Sequence, residues 1–217
     1  MERKTITLIV SETIGAVSGD IVEPKNPIAM MTLAHGAGAG MHHRFMENLA
    51  NALGELGIGT LRFNFPYMEN KKHRPDPPAI AEKTVASALT YLEQHYPSLP
   101  VFASGKSFGG RMTSQYLSKH DSTNVKGIIF YGFPLHPAGS PAIDRAAHLT
   151  NIKIPMLFLQ GTKDTLAQQE LIIGVCEKLP TATLEQIQGA DHGFMISKKE
   201  RIDILLEKSE AWIKLRL

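Results

Sequence analysis

The sequence predicts an α/β protein with a mostly parallel central sheet flanked by helices. Apolar segments of strand length alternate with segments of helical periodicity through most of the 217 residues. One predicted strand, residues 28–34, is apolar almost throughout, as a strand covered on both faces should be. Because parallel neighbours need a crossover that is usually a helix, the alternation indicates a parallel sheet with helices on both sides. A chain of this length fits one domain, residues 1–217.

The individual elements follow from the period of the apolar residues. Residues 42–56 have helical spacing, and Gly57 stands where a helix ends. Strands are predicted at residues 5–10, 15–23, 28–34, 58–65, 101–104, 125–131, 154–159 and 183–187. Helices are predicted at residues 42–56, 79–95, 108–119, 166–179 and near the C-terminus, where one face carries Ile202, Leu205, Leu206, Ser209, Trp212 and Ile213. Residues 66–78 and 133–151 are predicted loops at the carboxyl ends of strands, where such sheets bind ligands.

Composition excludes several classes of protein. Hydrophobic residues make up 43% and charged residues 20% of the chain, which is typical of a globular protein. The net charge is +2 and the basic residues are scattered, so we expect no nucleic-acid partner. We also expect no membrane partner, because no apolar stretch approaches the roughly 20 residues that a membrane span needs. The single cysteine, Cys176, and an N-terminal apolar run broken by threonines favour a cytoplasmic protein without a signal peptide.

A candidate nucleophile lies between a predicted strand and a predicted helix. The segment Gly105-Lys-Ser107-Phe-Gly109 has the G-x-S-x-G pattern of a nucleophile elbow. A sharp turn from strand to helix strains the serine backbone, and small neighbours let the chain segments pass closely. The pattern therefore predicts Ser107 as the catalytic nucleophile.

A glycine-rich segment follows the apolar third strand. His35-Gly-Ala-Gly-Ala-Gly40 exposes backbone N–H groups, and the N–H groups of Ala37 and Phe108 would together form an oxyanion hole. The alternative interpretation is a tight turn that leads into the next helix. We expect His35 to order this loop through backbone hydrogen bonds.

Two further polar residues follow strands near the C-terminus. Asp164 comes after the strand that ends at Gln160, and His192 comes after the next strand. The order Ser107, Asp164, His192 is the order of a nucleophile, an orienting carboxylate and a general base on this kind of sheet. Asp191 is the alternative carboxylate, but a carboxylate next to its histidine in sequence rarely folds back to reach the ring.

These motifs together resemble the α/β-hydrolase superfamily over nearly the whole chain. Within that superfamily the chain is similar to the dienelactone-hydrolase-like members and to a little-characterised branch of predicted hydrolases. Four segments carry that likeness: Arg62-Phe-Asn-Phe-Pro-Tyr67, Arg74-Pro-Asp-Pro-Pro78, Gly105-Lys-Ser-Phe-Gly-Gly-Arg111 and Tyr131-Gly-Phe-Pro-Leu-His-Pro137. Dienelactone hydrolases have a cysteine nucleophile where this chain has Ser107. Cys176 cannot replace that cysteine, because it falls in a predicted helix.

The resemblance implies a serine hydrolase with carboxylesterase-like or thioesterase-like activity. Ser107 would attack a carbonyl while His192 takes its proton, and Asp164 would hold the imidazole. The substrate would be a small-molecule ester, with no cofactor and no metal ion. The short interval between the strands 125–131 and 154–159 implies little or no lid, and therefore an open cleft for small or flexible esters.

Several residues keep two interpretations. We expect Gly36, Tyr67, Phe133 and His136 to line the cleft and bind substrate. Arg74, Asp76 and Arg111 either form an ion pair that braces a loop, which we favour, or hold an anionic substrate. We expect the adjacent His42 and His43 to be surface residues rather than metal ligands.

Other functional classes fit the sequence less well. A phosphate-binding P-loop would need a glycine where Pro100 stands, and a dinucleotide-binding loop would need one at Met41. The remaining alternative to an enzyme is a catalytically silent interaction protein that keeps the hydrolase fold, since a fold does not prove a function.

Overall fold

A sheet of eight strands forms the centre of the molecule, as seen in a computed structural model that describes residues 1–120 and 124–217. The strands are β1 Glu2–Ser11, β2 Gly15–Glu23, β3 Ala29–Ala34, β4 Ile58–Phe63, β5 Val101–Lys106, β6 Val125–Tyr131, β7 Met156–Gly161 and β8 Ala182–Ile187. Their spatial order is β1-β2-β4-β3-β5-β6-β7-β8. Only β2 runs against its neighbours, and every pair from β4 to β8 is parallel. The predicted mostly parallel sheet is confirmed.

Helices cover both faces of this sheet. They are α1 Arg44–Glu55, α2 Pro66–Glu69, α3 Pro78–His95, α4 Phe108–Leu117, α5 Gln169–Cys176 and α6 Ile202–Lys214. Apolar residues of α1 and α6 pack on one face, and those of α3, α4 and α5 pack on the other. The strands β3, β4 and β7 are buried along their whole length, which agrees with their nearly continuous apolar sequence.

Local sequence explains where several helices begin and end. Gly57, directly after the residue that caps α1, has a φ of +81°, which glycine adopts without strain. The predicted helix at residues 166–179 begins later, at Gln169, because the backbone N–H groups of Leu166 and Gln168 donate to side chains instead. The side chains are those of Asp164 and His136, so the turn that carries Asp164 is fixed before the helix starts.

Both predicted long loops contain short helices. Pro66 occupies the first position of α2, where its missing N–H costs nothing. A 3-10 helix at Asp144–Asn151 is the only regular element between β6 and β7, an interval that the structure describes in full. Beyond β8, the strands β9 Met195–Ile196 and β10 Lys199–Glu200 form a small hairpin. Among the described residues, no helix is long and apolar enough to cross a membrane.

Candidate active site

The carboxyl ends of three strands bring the predicted site residues to one edge of the sheet. Ser107 follows β5, Asp164 follows β7, and His192 follows β8. Because these strands are parallel, the loops that follow them emerge on the same side. Side chains that are far apart in sequence therefore lie in contact.

Ser107 occupies a strained turn between β5 and α4. Its backbone has φ 51° and ψ −115°, and residues other than glycine rarely adopt such a positive φ. A Cβ on Gly105 would collide with the backbone of Gly110, and one on Gly109 would collide with the backbone of Ala34. The glycines of the elbow are therefore required by close backbone approach, as the sequence pattern predicts.

A chain of hydrogen bonds links the three side chains. The Nδ1 atom of His192 lies 2.6 Å from Oδ2 of Asp164, and its Nε2 atom lies 2.8 Å from Oγ of Ser107. A carboxylate oxygen can only accept, so Nδ1 carries the proton. The unprotonated Nε2 then accepts the hydrogen bond from the serine hydroxyl, which is the arrangement that a general base needs.

Asp164 is held from two further directions. Its side chain is completely buried, its Oδ1 accepts from the backbone N–H of Leu166 at 2.8 Å, and its Oδ2 also accepts from Nε2 of Gln160 at 2.6 Å. The Gln160 amide oxygen accepts from the backbone N–H of Phe133 at 2.9 Å. Sequence reasoning missed Gln160, although a glutamine that ends a buried apolar strand was the available signal.

Two aromatic side chains order the glycine loop. Nδ1 of His35 lies 2.8 Å from the Gly36 carbonyl, and Nε2 accepts from the backbone N–H of Phe65 at 3.0 Å. Burial lowers the pKa of His35 to about 4, so the ring is neutral and fixed as a donor at one nitrogen and an acceptor at the other. The Tyr67 hydroxyl donates to the carbonyls of Ala37 and Gly36 at 2.9 and 3.3 Å. Within the described residues, the N–H of Ala37 donates to no protein acceptor.

Lys106 supports the loop that carries His192. Its Nζ donates to the backbone carbonyl of His192 and lies over the rings of Phe194 and Phe45, 5.0 and 5.8 Å from their centroids. Burial lowers the pKa of Lys106 to about 8, while two nearby carboxylates oppose the shift. The variable position of the elbow motif is thus a cation that ties β5 to the histidine loop.

Three of the four residues predicted to line the cleft lie behind its wall. Tyr67, Phe133 and His136 are at most 2% exposed. Phe133 packs against other phenylalanine rings, and His136 bonds the backbone of Pro137 and Gln168. Apolar and polar partners inside the protein hold these side chains, which corrects the expectation that they face the cleft. Gly36 does line a cavity beside Ser107.

Two cavities meet at Ser107. The first, here named the apolar cavity, has a volume of about 560 Å³ and includes His192, Phe45, Met46 and Met195 in its wall. The second, here named the arginine cavity, has a volume of about 680 Å³. Its wall includes Phe108, Asp76, Arg74, Arg111 and Arg145. Ala37, Ser107 and Leu166 belong to both cavities.

Other candidate groups lie outside this arrangement. Asp191 is exposed, and its Oδ1 accepts from the backbone N–H groups of Gly193 and Met195 instead of reaching the His192 ring. Burial raises the pKa of the Cys176 thiol to about 12, so that thiol is not activated. The part of the chain that the structure describes contains no group of three side chains that could hold a metal ion.

A second serine–histidine pair lies inside the protein. Oγ of Ser114, on α4, lies 2.8 Å from Nε2 of His148 in the 3-10 helix, and it donates to the Arg111 carbonyl at 2.9 Å. Ser114 is fully buried. This pair lines neither of the cavities beside Ser107.

Comparison with known proteins supports the architecture. A family model described as an alpha/beta hydrolase domain matches residues 27–211. The chain is similar to an alpha-beta serine hydrolase homologue from Coxiella burnetii, with a TM-score of 0.80 and 22% identity over 98% of each chain. It is also similar to dienelactone hydrolase from Anabaena variabilis, with a TM-score of 0.79 and 17% identity over 100% of this chain and 98% of the other. A serine hydrolase without lid from Xanthomonas campestris is similar as well, with a TM-score of 0.76 and 19% identity over 100% of this chain and 96% of the other.

Proposed function

The chain belongs to the alpha/beta hydrolase domain family, and from this premise we propose that it is a serine hydrolase that cleaves ester-type acyl bonds. The observation that carries the proposal is the hydrogen-bonded series from Ser107 through His192 to Asp164. In this proposal Ser107 is the nucleophile, His192 the general base and Asp164 the group that orients it. The strained serine backbone adds support, because strain of this kind concentrates at catalytic sites.

Acylation begins when Oγ of Ser107 attacks the substrate carbonyl. Its proton moves to Nε2 of His192, and the buried Asp164 stabilises the imidazolium that forms. The negative charge that develops on the carbonyl oxygen is stabilised by the backbone N–H groups of Phe108 and Ala37. When the tetrahedral intermediate collapses, the protonated His192 gives its proton to the leaving alcohol or thiol, and an acyl ester on Ser107 remains.

Deacylation repeats these steps with water. His192 takes a proton from a water molecule, the hydroxide attacks the acyl ester, and the same N–H groups hold the second oxyanion. Collapse releases the acid and returns the proton to Ser107. Because only a 3-10 helix lies between β6 and β7, the site is open, which supports small or flexible esters and thioesters as substrates. The predicted cytoplasmic location is part of this proposal, and cell fractionation tests it.

A fluorophosphonate probe tests the proposal directly, because it labels activated serines covalently. We expect the wild-type protein to be labelled at Ser107 and the Ser107→Ala variant to lose labelling. Ser114→Ala is the matched control, since it removes the other serine that contacts a histidine at the same distance. The control should be labelled like the wild type, with the modified peptide identified by mass spectrometry.

Absence of labelling would contradict the proposal. If folded wild-type protein is not labelled and turns over no ester, the catalytically silent interaction protein is the better interpretation. Circular dichroism on each variant separates loss of the nucleophile from loss of the fold.

A further inference from the structure

Ser107 lies at the junction of two cavities of different chemistry. The apolar cavity presents Phe45, Met46 and Met195 around His192. The arginine cavity presents Arg74, Arg111 and Arg145 with a single carboxylate, that of Asp76. A substrate whose scissile carbonyl reaches Ser107 can therefore extend into both cavities at once.

The charges of the arginine cavity are not neutralised by the protein. Oδ2 of Asp76 accepts from the backbone N–H of Tyr67 at 2.8 Å. The ion pairs of arginine among the described residues belong to Arg62 and Arg201, so the pair predicted between Asp76 and Arg74 or Arg111 is absent there.

Arg111 has a buried donor without a partner. Its Nε atom is buried and has no hydrogen-bond partner among the described residues. Burial and the nearby Arg145 cation lower the pKa of Arg111, which places two positive charges close together without a counter-ion. Arg145 itself makes one long hydrogen bond, 3.4 Å, to the carbonyl of Pro134. A planar anion would supply the counter-charge that these cations lack.

The position of His192 decides which part of the substrate enters each cavity. The leaving group must receive its proton from Nε2 of His192, and His192 lines the apolar cavity but not the arginine cavity. The leaving alcohol or thiol therefore occupies the apolar side. The acyl part extends the other way, past Phe108, into the arginine cavity.

We propose that the acyl part of the substrate carries a carboxylate that binds in the arginine cavity, while an apolar alcohol or thiol leaves through the other cavity. The substrate class is thus a half-ester or half-thioester of a short dicarboxylic acid. Water cleaves the bond between the acyl carbon and the leaving oxygen or sulfur, which gives the dicarboxylate, the free alcohol or thiol, and one proton that is released to solvent. This inference rests on the proposed function of Ser107 and adds the charge of the substrate to it.

Three benzyl esters test the inference. Monobenzyl glutarate carries the acyl carboxylate, benzyl valerate replaces that carboxylate with a methyl group, and 4-(valeryloxymethyl)benzoate carries the carboxylate on the leaving group instead. We expect kcat/KM for monobenzyl glutarate to exceed that of each other ester by about 10-fold or more, as charge-assisted hydrogen bonds allow. Product release is measured by chromatography.

Neutralising the cavity should remove this preference. In Arg111→Gln and Arg145→Gln, kcat/KM for monobenzyl glutarate should fall about 10- to 100-fold while that for benzyl valerate stays within about threefold. Arg44→Gln is the matched control, because it removes an exposed arginine that lines neither cavity. Its preference should equal that of the wild type.

The outcomes separate this inference from the proposed function. The anionic acyl group is wrong, and the proposed hydrolase activity stands, if benzyl valerate is cleaved as efficiently as monobenzyl glutarate. The same conclusion follows if Arg111→Gln lowers kcat/KM equally for these two esters. Preference for 4-(valeryloxymethyl)benzoate would reverse the assignment of the two cavities and overturn it as well. If no ester is cleaved, calorimetric titration of monobenzyl glutarate into Ser107→Ala decides: binding that Arg111→Gln abolishes supports the anion cavity, and absence of binding overturns it.

Discussion

The strand-to-helix unit of β5 and α4 carries two serines that each contact a histidine, and both oxygen–nitrogen distances are 2.8 Å. Ser107 directly precedes α4 and lines two cavities, whereas Ser114 lies within the helix and is fully buried. The distance alone does not distinguish a catalytic pair from a structural one. The groups around each pair do.

Proton positions differ between the two pairs. Oγ of Ser114 donates its only proton to the Arg111 carbonyl, so Nε2 of His148 must itself donate to Ser114. At the other pair, Asp164 fixes the proton on Nδ1 of His192 and leaves Nε2 free to accept. A histidine that donates to the serine cannot serve as its base.

The charged groups around the two histidines also differ. Burial lowers the pKa of His148 to about 4, and the Arg111 and Lys119 cations add to the shift. A protonated His148 would therefore be repelled by the Arg111 and Lys119 cations, and it has no carboxylate partner among the described residues. A proton transferred to His192 meets the Asp164 carboxylate. The third group, rather than the serine–histidine contact, therefore gives each pair its chemistry.

Removing each histidine in turn should give the largest difference in activity between the two pairs. We expect His192→Ala to lower kcat by about 10⁴-fold or more, as loss of the base does in serine hydrolases. His148→Ala should leave kcat within a few-fold and instead lower the free energy of unfolding by about 1–3 kcal/mol, because it removes a buried hydrogen-bond donor and its packing. Ester hydrolysis and urea unfolding measure the two effects. Equal losses of kcat in both variants, with stability unchanged, would refute the distinction.

Changing Asp164 should give the Ser107–His192 pair the proton arrangement of the Ser114–His148 pair. In Asp164→Asn the amide can donate to Nδ1 of His192, which moves the ring proton to Nε2 and leaves no acceptor for Ser107. We expect kcat to fall by about 10⁴-fold with little change in KM. Asp191→Asn is the matched control, since it changes the neighbouring carboxylate that caps a turn. A larger loss in Asp191→Asn than in Asp164→Asn would make Asp191 the orienting group.

The order of the proposed triad could be predicted from the sequence because each member follows a strand with a recognisable turn. Ser107 lies between glycines, Asp164 follows an apolar strand, and parallel strands bring such turns to one edge. His148 lies in a 3-10 helix of eight residues, Asp144–Asn151, within the stretch that the sequence predicts as a loop. The second pair was therefore invisible until the packing of α4 was known.

Side-chain direction was the part that the sequence could not determine. Tyr67, Phe133 and His136 follow strands just as the triad does, yet their side chains turn inward. The same limit applies to the arginines: Arg111 and Asp76 suggested an ion pair by opposite charge, but Asp76 bonds the Tyr67 backbone. A loop's location follows from topology, whereas its side-chain contacts depend on packing between distant segments.

The free energy of unfolding should depend on pH through His148. The pKa of His148 is lowered to about 4 in the folded protein. Between about pH 4 and pH 6.5, His148 is therefore protonated in the unfolded chain but not in the folded chain. The free energy of unfolding therefore falls as pH decreases through that window. In His148→Gln, whose amide can still donate to Ser114, this fall should be smaller by about 1–2 kcal/mol at pH 5.

His35 bears on how that result is interpreted, because burial lowers its pKa to about 4 as well. The variant should therefore keep part of the acid sensitivity and lose only the share that belongs to His148. His73→Gln, at an exposed histidine, provides the control and should follow the wild-type curve. Urea unfolding at pH 5 and pH 7.5 gives the difference. A His148→Gln curve parallel to the wild type would mean that His148 accepts a proton in the folded state, and the contrast drawn between the two pairs would then have no electrostatic basis.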